Sequence, residues 1–144
     1  MRRQQSYIAG QEEGEYEEYD ETEKLIVKGQ YAEGLEEGEW TYDFGNFRET
    51  GSYKNGARFG KWKSYYDDGT LRFEGSYIDD NLNGKVFWYW PSGKLKDQGN
   101  FLNGSREGDW ITYNLDGTLF MVITYKRNTE KKYDGFIIKP QFEE

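Results

Sequence analysis

One segment of this chain recurs along most of its length, and that recurrence limits the fold more than any other feature. The aromatic residues Tyr7, Tyr31, Tyr53, Tyr77, Phe101 and Tyr125 follow one another at intervals of 24, 22, 24, 24 and 24 residues. A second landmark keeps the same step at Tyr16, Trp40, Trp62, Val86 and Trp110. Glycines mark both: Gly29, Gly51, Gly75 and Gly99 open units, and Gly14, Gly38, Gly60, Gly84 and Gly108 lie two residues before the landmark. A fixed period of this length is the signature of a repeat architecture, in which each unit buries its apolar face against its neighbours.

Inside a unit the period is two. Trp62, Ser64 and Tyr66 alternate with Lys61, Lys63 and Tyr65, and Leu71, Phe73, Gly75 and Tyr77 alternate with Arg72, Glu74 and Ser76. Two such runs about Asp67-Asp68-Gly69-Thr70 predict a β-hairpin. The register predicted is Tyr66 opposite Leu71, Ser64 opposite Phe73, Trp62 opposite Gly75 and Gly60 opposite Tyr77. Large rings then face bare backbone, and an aromatic ring lying over a neighbouring glycine stabilises a sheet.

The one short unit tests that register. Two residues are missing between Trp40 and Gly51. With Trp40 kept opposite Gly51, Tyr42 faces Glu49, Phe44 faces Phe47, and the loop shrinks to Gly45-Asn46, suited to a type II′ turn. Removing two residues preserves the face of every side chain, whereas removing one inverts it. The same frame pairs Tyr16 with Gly29 and Asp20 with Leu25 in the first unit. It pairs Gly84 with Phe101, Val86 with Gly99 and Trp90 with Leu95 in the fourth. In the fifth it pairs Trp110 with Ile123, Thr112 with Met121 and Asn114 with Leu119.

The pattern G-x-Y-x-x-G-x-x-x-G-x-W-x-x-Y-Y-x-x-x-G-x-L resembles the MORN repeat, in the variant form common in bacterial proteins. Gly51-Ser52-Tyr53-Lys54-Asn55-Gly56-Ala57-Arg58-Phe59-Gly60-Lys61-Trp62 is the cleanest match, and Gly99 through Trp110 follows it closely. Val86 in place of tryptophan, Asp80 in place of glycine, and the degenerate first and last units are departures. The resemblance covers roughly residues 5 to 125. It implies an antiparallel β-meander that serves as an interaction or membrane-associated module, and some bacterial relatives carry an antitoxin label.

The expected fold is therefore all-β: an elongated single-layer antiparallel β-meander of tandem hairpin repeats, ten to twelve strands long. The whole chain forms one array. Its units are 7–28, 29–50, 51–74, 75–98 and 99–122, with residues 1 to 6 as a frayed lead-in and 123–144 as a C-terminal cap. The cap should hold a loop at 126–130 and a last strand near 133–139. Composition fits one layer: 35% hydrophobic and 32% charged residues are poor material for a thick core, but 19% are aromatic.

Chemistry is restricted. The chain has no His and no Cys. Ser-His-Asp and Cys-His catalysis, His- or thiolate-bound metals and disulfides are excluded. Most Asp and Glu of the later units fall at turns, where local geometry accounts for them. No glycine-rich loop leads into a helix, so no phosphate loop is expected. The expectation is a non-enzymatic chain with no cofactor. No leader or transmembrane run is present in the sequence, which predicts a cytoplasmic protein.

Charge is uneven. Residues 1 to 50 hold 14 acidic and 5 basic residues, and residues 51 to 144 hold 13 and 14. An acidic end disfavours nucleic acid and points to a basic protein partner, with Glu12, Glu13, Glu17 and Glu18 as its candidate contacts. A second candidate surface lies on the face opposite the tryptophans. That face is polar in the second unit but carries Phe87, Tyr89, Ile111, Tyr113, Phe120 and Val122 later on. A C-terminal segment folded over it, a curled sheet, or a partner or second copy would cover it. The functional expectation is a protein-binding module, in its sharpest form antitoxin-like or immunity-like towards a basic toxin. A scaffold or membrane-peripheral module and a carbohydrate-binding surface are the alternatives.

Overall fold

In a computed structural model, described over residues 2–8 and 10–135, one antiparallel sheet accounts for every regular element. Its strands are β1 (Arg2–Ile8), β2 (Gln11–Tyr19), β3 (Leu25–Ala32), β4 (Leu35–Asp43), β5 (Phe47–Lys54), β6 (Ala57–Tyr66) and β7 (Leu71–Ile78). They continue as β8 (Asn81–Leu82), β9 (Gly84–Tyr89), β10 (Leu95–Leu102), β11 (Ser105–Tyr113), β12 (Leu119–Lys126) and β13 (Thr129–Gly135). Each strand pairs with the next in sequence, except that β8 and β9 both pair with β7, as one strand interrupted at Asn83. Among the described residues there is no helix.

The predicted register holds at the landmarks. Trp62 faces Gly75, Gly60 faces Tyr77 and Ser64 faces Phe73. Trp40 faces Gly51 and Tyr42 faces Glu49; Tyr16 faces Gly29. Val86 faces Gly99 and Trp110 faces Ile123. In the short unit the Phe44 amide donates to the Phe47 carbonyl at 2.9 Å, and Gly45 has φ of +97°, as the two-residue turn requires.

Next to the longer loops the register is corrected by one residue. Leu71 faces Tyr65 rather than Tyr66, Leu25 faces Tyr19 rather than Asp20, Leu95 faces Tyr89 rather than Trp90, and Leu119 faces Tyr113 rather than Asn114. The loop is three residues, not four. The Tyr66 amide donates to Thr70 O at 2.8 Å, the Gly69 amide donates to Tyr66 O at 2.9 Å, and Gly69 has φ of +93°. That is a type I turn closed by a left-handed residue. A bulge at Arg72 then restores the register at Phe73 and turns Arg72 onto the tryptophan side, where its guanidinium donates to Ser64 Oγ at 3.2 Å.

Two-residue turns join the units. Both central residues have positive φ at Glu33-Gly34, Asn55-Gly56, Asp79-Asp80, Asn103-Gly104 and Arg127-Asn128, the type I′ geometry that matches strand twist. The loop expected over 126–130 is thus a tight turn, and the last strand begins at Thr129. Residues 2–8 form β1 rather than a frayed lead. Phe136, Ile137 and Ile138, and with them the expected closing cap and cover, lie outside the described residues.

Burial concentrates on one face. Trp40, Trp62, Phe73 and Val86 are its buried apolar side chains, with Ser64 beside them. Trp40, Trp62 and Trp110 each lie over a glycine, but over the one on the preceding strand and not over the residue they face in the hairpin. A Cβ added to Gly51 would sit 2.0 Å from Trp62 Cδ2; at Gly29 and Gly99 it would meet Trp40 and Trp110 at 2.0 and 2.1 Å. The indole N–H then reaches the carbonyl just after that glycine: Trp40 to Gln30, Trp62 to Ser52 and Trp110 to Asn100, at 3.0–3.1 Å. Burial and a satisfied N–H are both obtained from one layer of sheet.

Candidate functional site

The tryptophan face is closed by its own rings. Tyr16, Trp40, Tyr42 and Trp62 stack at centroid separations of 5.8–6.5 Å. Tyr31, Tyr53 and Tyr77 meet the tryptophans edge-on at 5.1–5.9 Å. Beyond Val86 the pattern resumes with Trp88 against Trp110, and with Phe101 and Tyr125 edge-on to Trp110. Arg58 covers Trp62 at 4.8 Å and Arg106 covers Tyr125 at 4.2 Å. Burial, then the hydrogen bond to Tyr53 at 2.9 Å, raises the Tyr42 hydroxyl far above its ordinary pKa. Tyr16 is pushed up to about 12 by burial and by the adjacent Glu18 carboxylate. These hydroxyls stay neutral at ordinary pH.

The four acidic candidates are not brought together as one cluster. Side chains alternate between faces along β2. Glu18 lies on the ring side, accepting from Tyr16 at 2.8 Å with Arg3 at 3.9 Å. Glu12 shares that side by alternation and sits opposite Tyr7. Glu17 faces the other way, accepts from Tyr19 at 2.7 Å and pairs with Lys28 at 4.0 Å. Glu13 has a structural task that the sequence reading missed: its carboxylate accepts from the Glu33 amide at 2.9 Å, in the turn one unit on. Glu37, Asn83 and Glu107 repeat that bond to Asn55, Asn103 and Arg127. The visible signal is a carboxylate or amide just before each bulge glycine. Phe59 breaks it.

The opposite face is uncovered by any described element. One register row crosses it through Glu17, Lys28, Thr41, Thr50, Lys63, Glu74, Phe87, Gln98, Ile111 and Val122. The row runs from charged and polar to apolar. The structure gathers the four later candidates here. Phe87 and Ile111 flank Gln98 from either side. Tyr113, two residues from Ile111, accepts from Gln98 Nε2 at 2.8 Å, and Tyr89 lies two residues from Phe87. All four are half-buried.

The polar half of the same face holds a shallow groove of about 480 Å³, lined by Ile26, Thr41, Asp43, Arg48, Thr50 and Tyr65 among others. None of these was a candidate from sequence, because each reads as an ordinary position of a strand. Among the described residues no group of His, Cys, Asp and Glu is placed to hold a metal ion.

The family described as the MORN repeat variant matches residues 12–33, 60–79 and 82–103. The chain is a MORN-repeat protein. Each matched stretch runs from one strand through a loop into the next, as the hairpin unit does. MORN-repeat modules are generally non-enzymatic. No curated protein matches this MORN-repeat chain. Among solved structures it is similar to one described as an S. aureus TarM G117R mutant in complex with Fondaparinux, alpha-GlcNAc-glycerol and UDP. The identity is 15% and the TM-score 0.36, over 74% of this chain and 19% of that one. The chain thus spans about a fifth of that protein's length.

Proposed function

We propose that this MORN-repeat chain is a non-enzymatic protein-binding module of the cytoplasm whose partner lies along the face opposite the tryptophans. The observation that carries this is the gathering of Phe87, Tyr89, Ile111 and Tyr113 on neighbouring strands of a face that no described element covers. Clustered aromatic and aliphatic side chains of this kind anchor interfaces. At the other end of the face Glu15, Glu17 and Glu39 share the side of Lys28 and Thr41 by alternation. An apolar anchor with an acidic extension suits a basic partner, and an antitoxin-like or immunity-like role towards a basic toxin is the sharpest form.

The test captures partners from a native lysate with the wild type and with Phe87→Ser/Tyr113→Ser. The expected result is a basic protein that the double variant loses and that Glu15→Lys/Glu39→Lys retains only at low salt. Identical partner sets for the wild type and the double variant, with the fold intact by circular dichroism, would refute the assignment.

A further inference from the structure

The sheet has two ends, and each carries half of a contact that every internal junction completes. In the two-residue turns, the amide of the second central residue donates to the strand that precedes the pair it joins. Gly34, between β3 and β4, donates to Glu12 O of β2 at 2.9 Å. Gly56 donates to Glu36 O, Gly104 to Leu82 O and Asn128 to Arg106 O at 2.9 Å, and Asp80 to Arg58 O at 3.2 Å. The acceptor always lies two residues after the preceding turn. Gly10 holds the donor's place in the first turn, with φ of +81° against +82° at Gly34. Among the described residues no strand lies beyond β1 to receive that amide. Glu130 holds the acceptor's place in β13. It follows Asn128 by two residues and faces Tyr125, as Arg106 faces Phe101 and Arg58 faces Tyr53. Among the described residues no turn follows β13 to donate to its carbonyl.

Strand parity allows a second copy to join the two halves. β8 and β9 share one place in the sheet, so the order from β1 to β13 has twelve places and β13 runs antiparallel to β1. A copy added beyond β13 in the same orientation presents its own β1 as an antiparallel neighbour. Edge strands offer a row of unpaired N–H and C=O groups, and charge on them ordinarily discourages pairing. Here the two ends differ in sign. Residues 1–23 hold eight acidic and two basic residues, whereas residues 126–135 hold four basic and two acidic. Like ends repel and unlike ends attract, which disfavours head-to-head and tail-to-tail contact and leaves head-to-tail contact open.

We infer that the two ends bind each other: β1 of one copy pairs with β13 of the next, the Gly10 amide donates to the Glu130 carbonyl, and copies add head to tail. That bond brings the segment with Lys131 and Lys132 beside the turn that leads into Glu12 and Glu13. Lys131 stands where Glu13, Glu37, Asn83 and Glu107 supply a side-chain acceptor to the next turn. The junction therefore has the backbone bond alone, as at Phe59 inside the sheet, where the Asp80 amide still reaches Arg58 O. A head-to-tail contact has no two-fold symmetry, and the screw that continues a twisted sheet does not close on itself, so growth is open-ended. The edges used are separate from the face proposed for the protein partner, and the inference does not rest on that reading.

The test is sedimentation velocity of the full chain from about 1 μM to about 1 mM, in about 50 mM salt so that charge is weakly screened. The weight-average mass should rise continuously with concentration, without a plateau, and the Gly10 amide should exchange more slowly at the upper end. Glu12→Lys/Glu15→Lys and Lys131→Glu/Lys132→Glu should each move growth to about tenfold higher concentration. An equal mixture of the two should recover it, because every head then finds tails of opposite sign. Phe87→Ser/Tyr113→Ser should grow as the wild type does. A chain still monomeric at the upper concentration would overturn the inference, and so would a plateau at the mass of a dimer. Growth abolished by Phe87→Ser/Tyr113→Ser would place the contact on the outer face instead. A mixture that stays monomeric, with both charge variants folded by circular dichroism, would likewise refute the pairing of the ends.

Discussion

Gly51→Ala isolates the contact on which the array is built. Gly51 does not have positive φ, so alanine meets no backbone penalty there. The cost is purely one of space. The new Cβ would lie 2.0, 2.2 and 2.3 Å from Trp62 Cδ2, Cε2 and Cγ, so the ring must retreat by more than an ångström. Trp62 is 0% exposed and has nowhere to go. Tyr53 and Tyr77 meet it edge-on, Tyr42 stacks on it and Arg58 covers it. Retreat also breaks the bond to Ser52 O, worth about 1 kcal/mol. Overpacking adds about 1–3 kcal/mol. The total, about 2–4 kcal/mol, approaches the roughly 3–5 kcal/mol of removing a buried tryptophan outright, and corresponds to a fall in Tm of about 5–15 °C. Gly60→Ala is the control. Its Cβ meets nothing within 4 Å, but its φ of +74° should cost about 1–2 kcal/mol. Urea unfolding followed by circular dichroism measures both. In the cycle with Trp62→Val, Gly51→Ala should become nearly free, giving a coupling of at least about 1 kcal/mol. Additive costs, or a Gly51→Ala no worse than Gly60→Ala, would refute the ring-over-glycine account.

Three further outcomes follow from the same contacts. Phe59→Gln should unfold at a higher urea midpoint than Phe59→Ala, a stability difference of about 0.5–1 kcal/mol, because a side-chain acceptor there completes the turn bond that Asn83 makes one unit on. On acidification, the carboxyls of Asp20, Asp68 and Asp116 are held below the usual range by hydrogen bonds to Thr22, Thr70 and Thr118. Their contribution is present above the ordinary Asp pKa and is lost as pH falls through the lowered values; Tm against pH should fall there, less steeply in Asp→Asn variants. On the alkaline side burial raises Tyr16, to about 12, and Tyr31 and Tyr89. Stability should be full below the ordinary tyrosine pKa near 10 and decline towards pH 12, read by tyrosinate absorbance alongside unfolding.

The period and the partner of each landmark were legible in the sequence because a glycine opposite a ring recurs in the first three units. What strand pairing could not tell was which side the ring falls on. Trp62 pairs with Gly75 yet lies over Gly51, a choice made by the indole N–H, whose acceptor is Ser52 O. The loops misled for a different reason. Asp67-Asp68-Gly69-Thr70 reads as four turn residues, but left-handed Gly69 closes the loop after three, and the bulge at Arg72 repays the shift one step later. The turns between units carried a plain signal, Asn55-Gly56 and Asn103-Gly104, that a search for one hairpin per unit passes over. Of the candidate surface, Phe87, Tyr89, Ile111 and Tyr113 were legible by alternation alone. The groove residues Arg48 and Tyr65 were not, because each reads as an ordinary position of a strand.

The junction between the third and fourth units departs from the repeat on both faces of the sheet. There Val86 stands for the tryptophan, Phe59 for the turn acceptor, and β8 and β9 are interrupted. The Asn83 amide donates to Ser76 O at 2.9 Å, at the position that Glu37, Phe59 and Glu107 hold opposite Gln30, Ser52 and Asn100 in the other units, with no indole added. A lost ring would leave Gly75 bare, but Val86, Phe73 and Leu82 close over it, each within 3.2 Å of where a Cβ would be. On the opposite face the same junction is where Lys63 and Glu74 give way to Phe87. One substitution in the ring column thus coincides with the change from a polar to an apolar outer surface. A repeat whose stability is local to each pair of units can change its outer face at such a boundary without disturbing the register on either side.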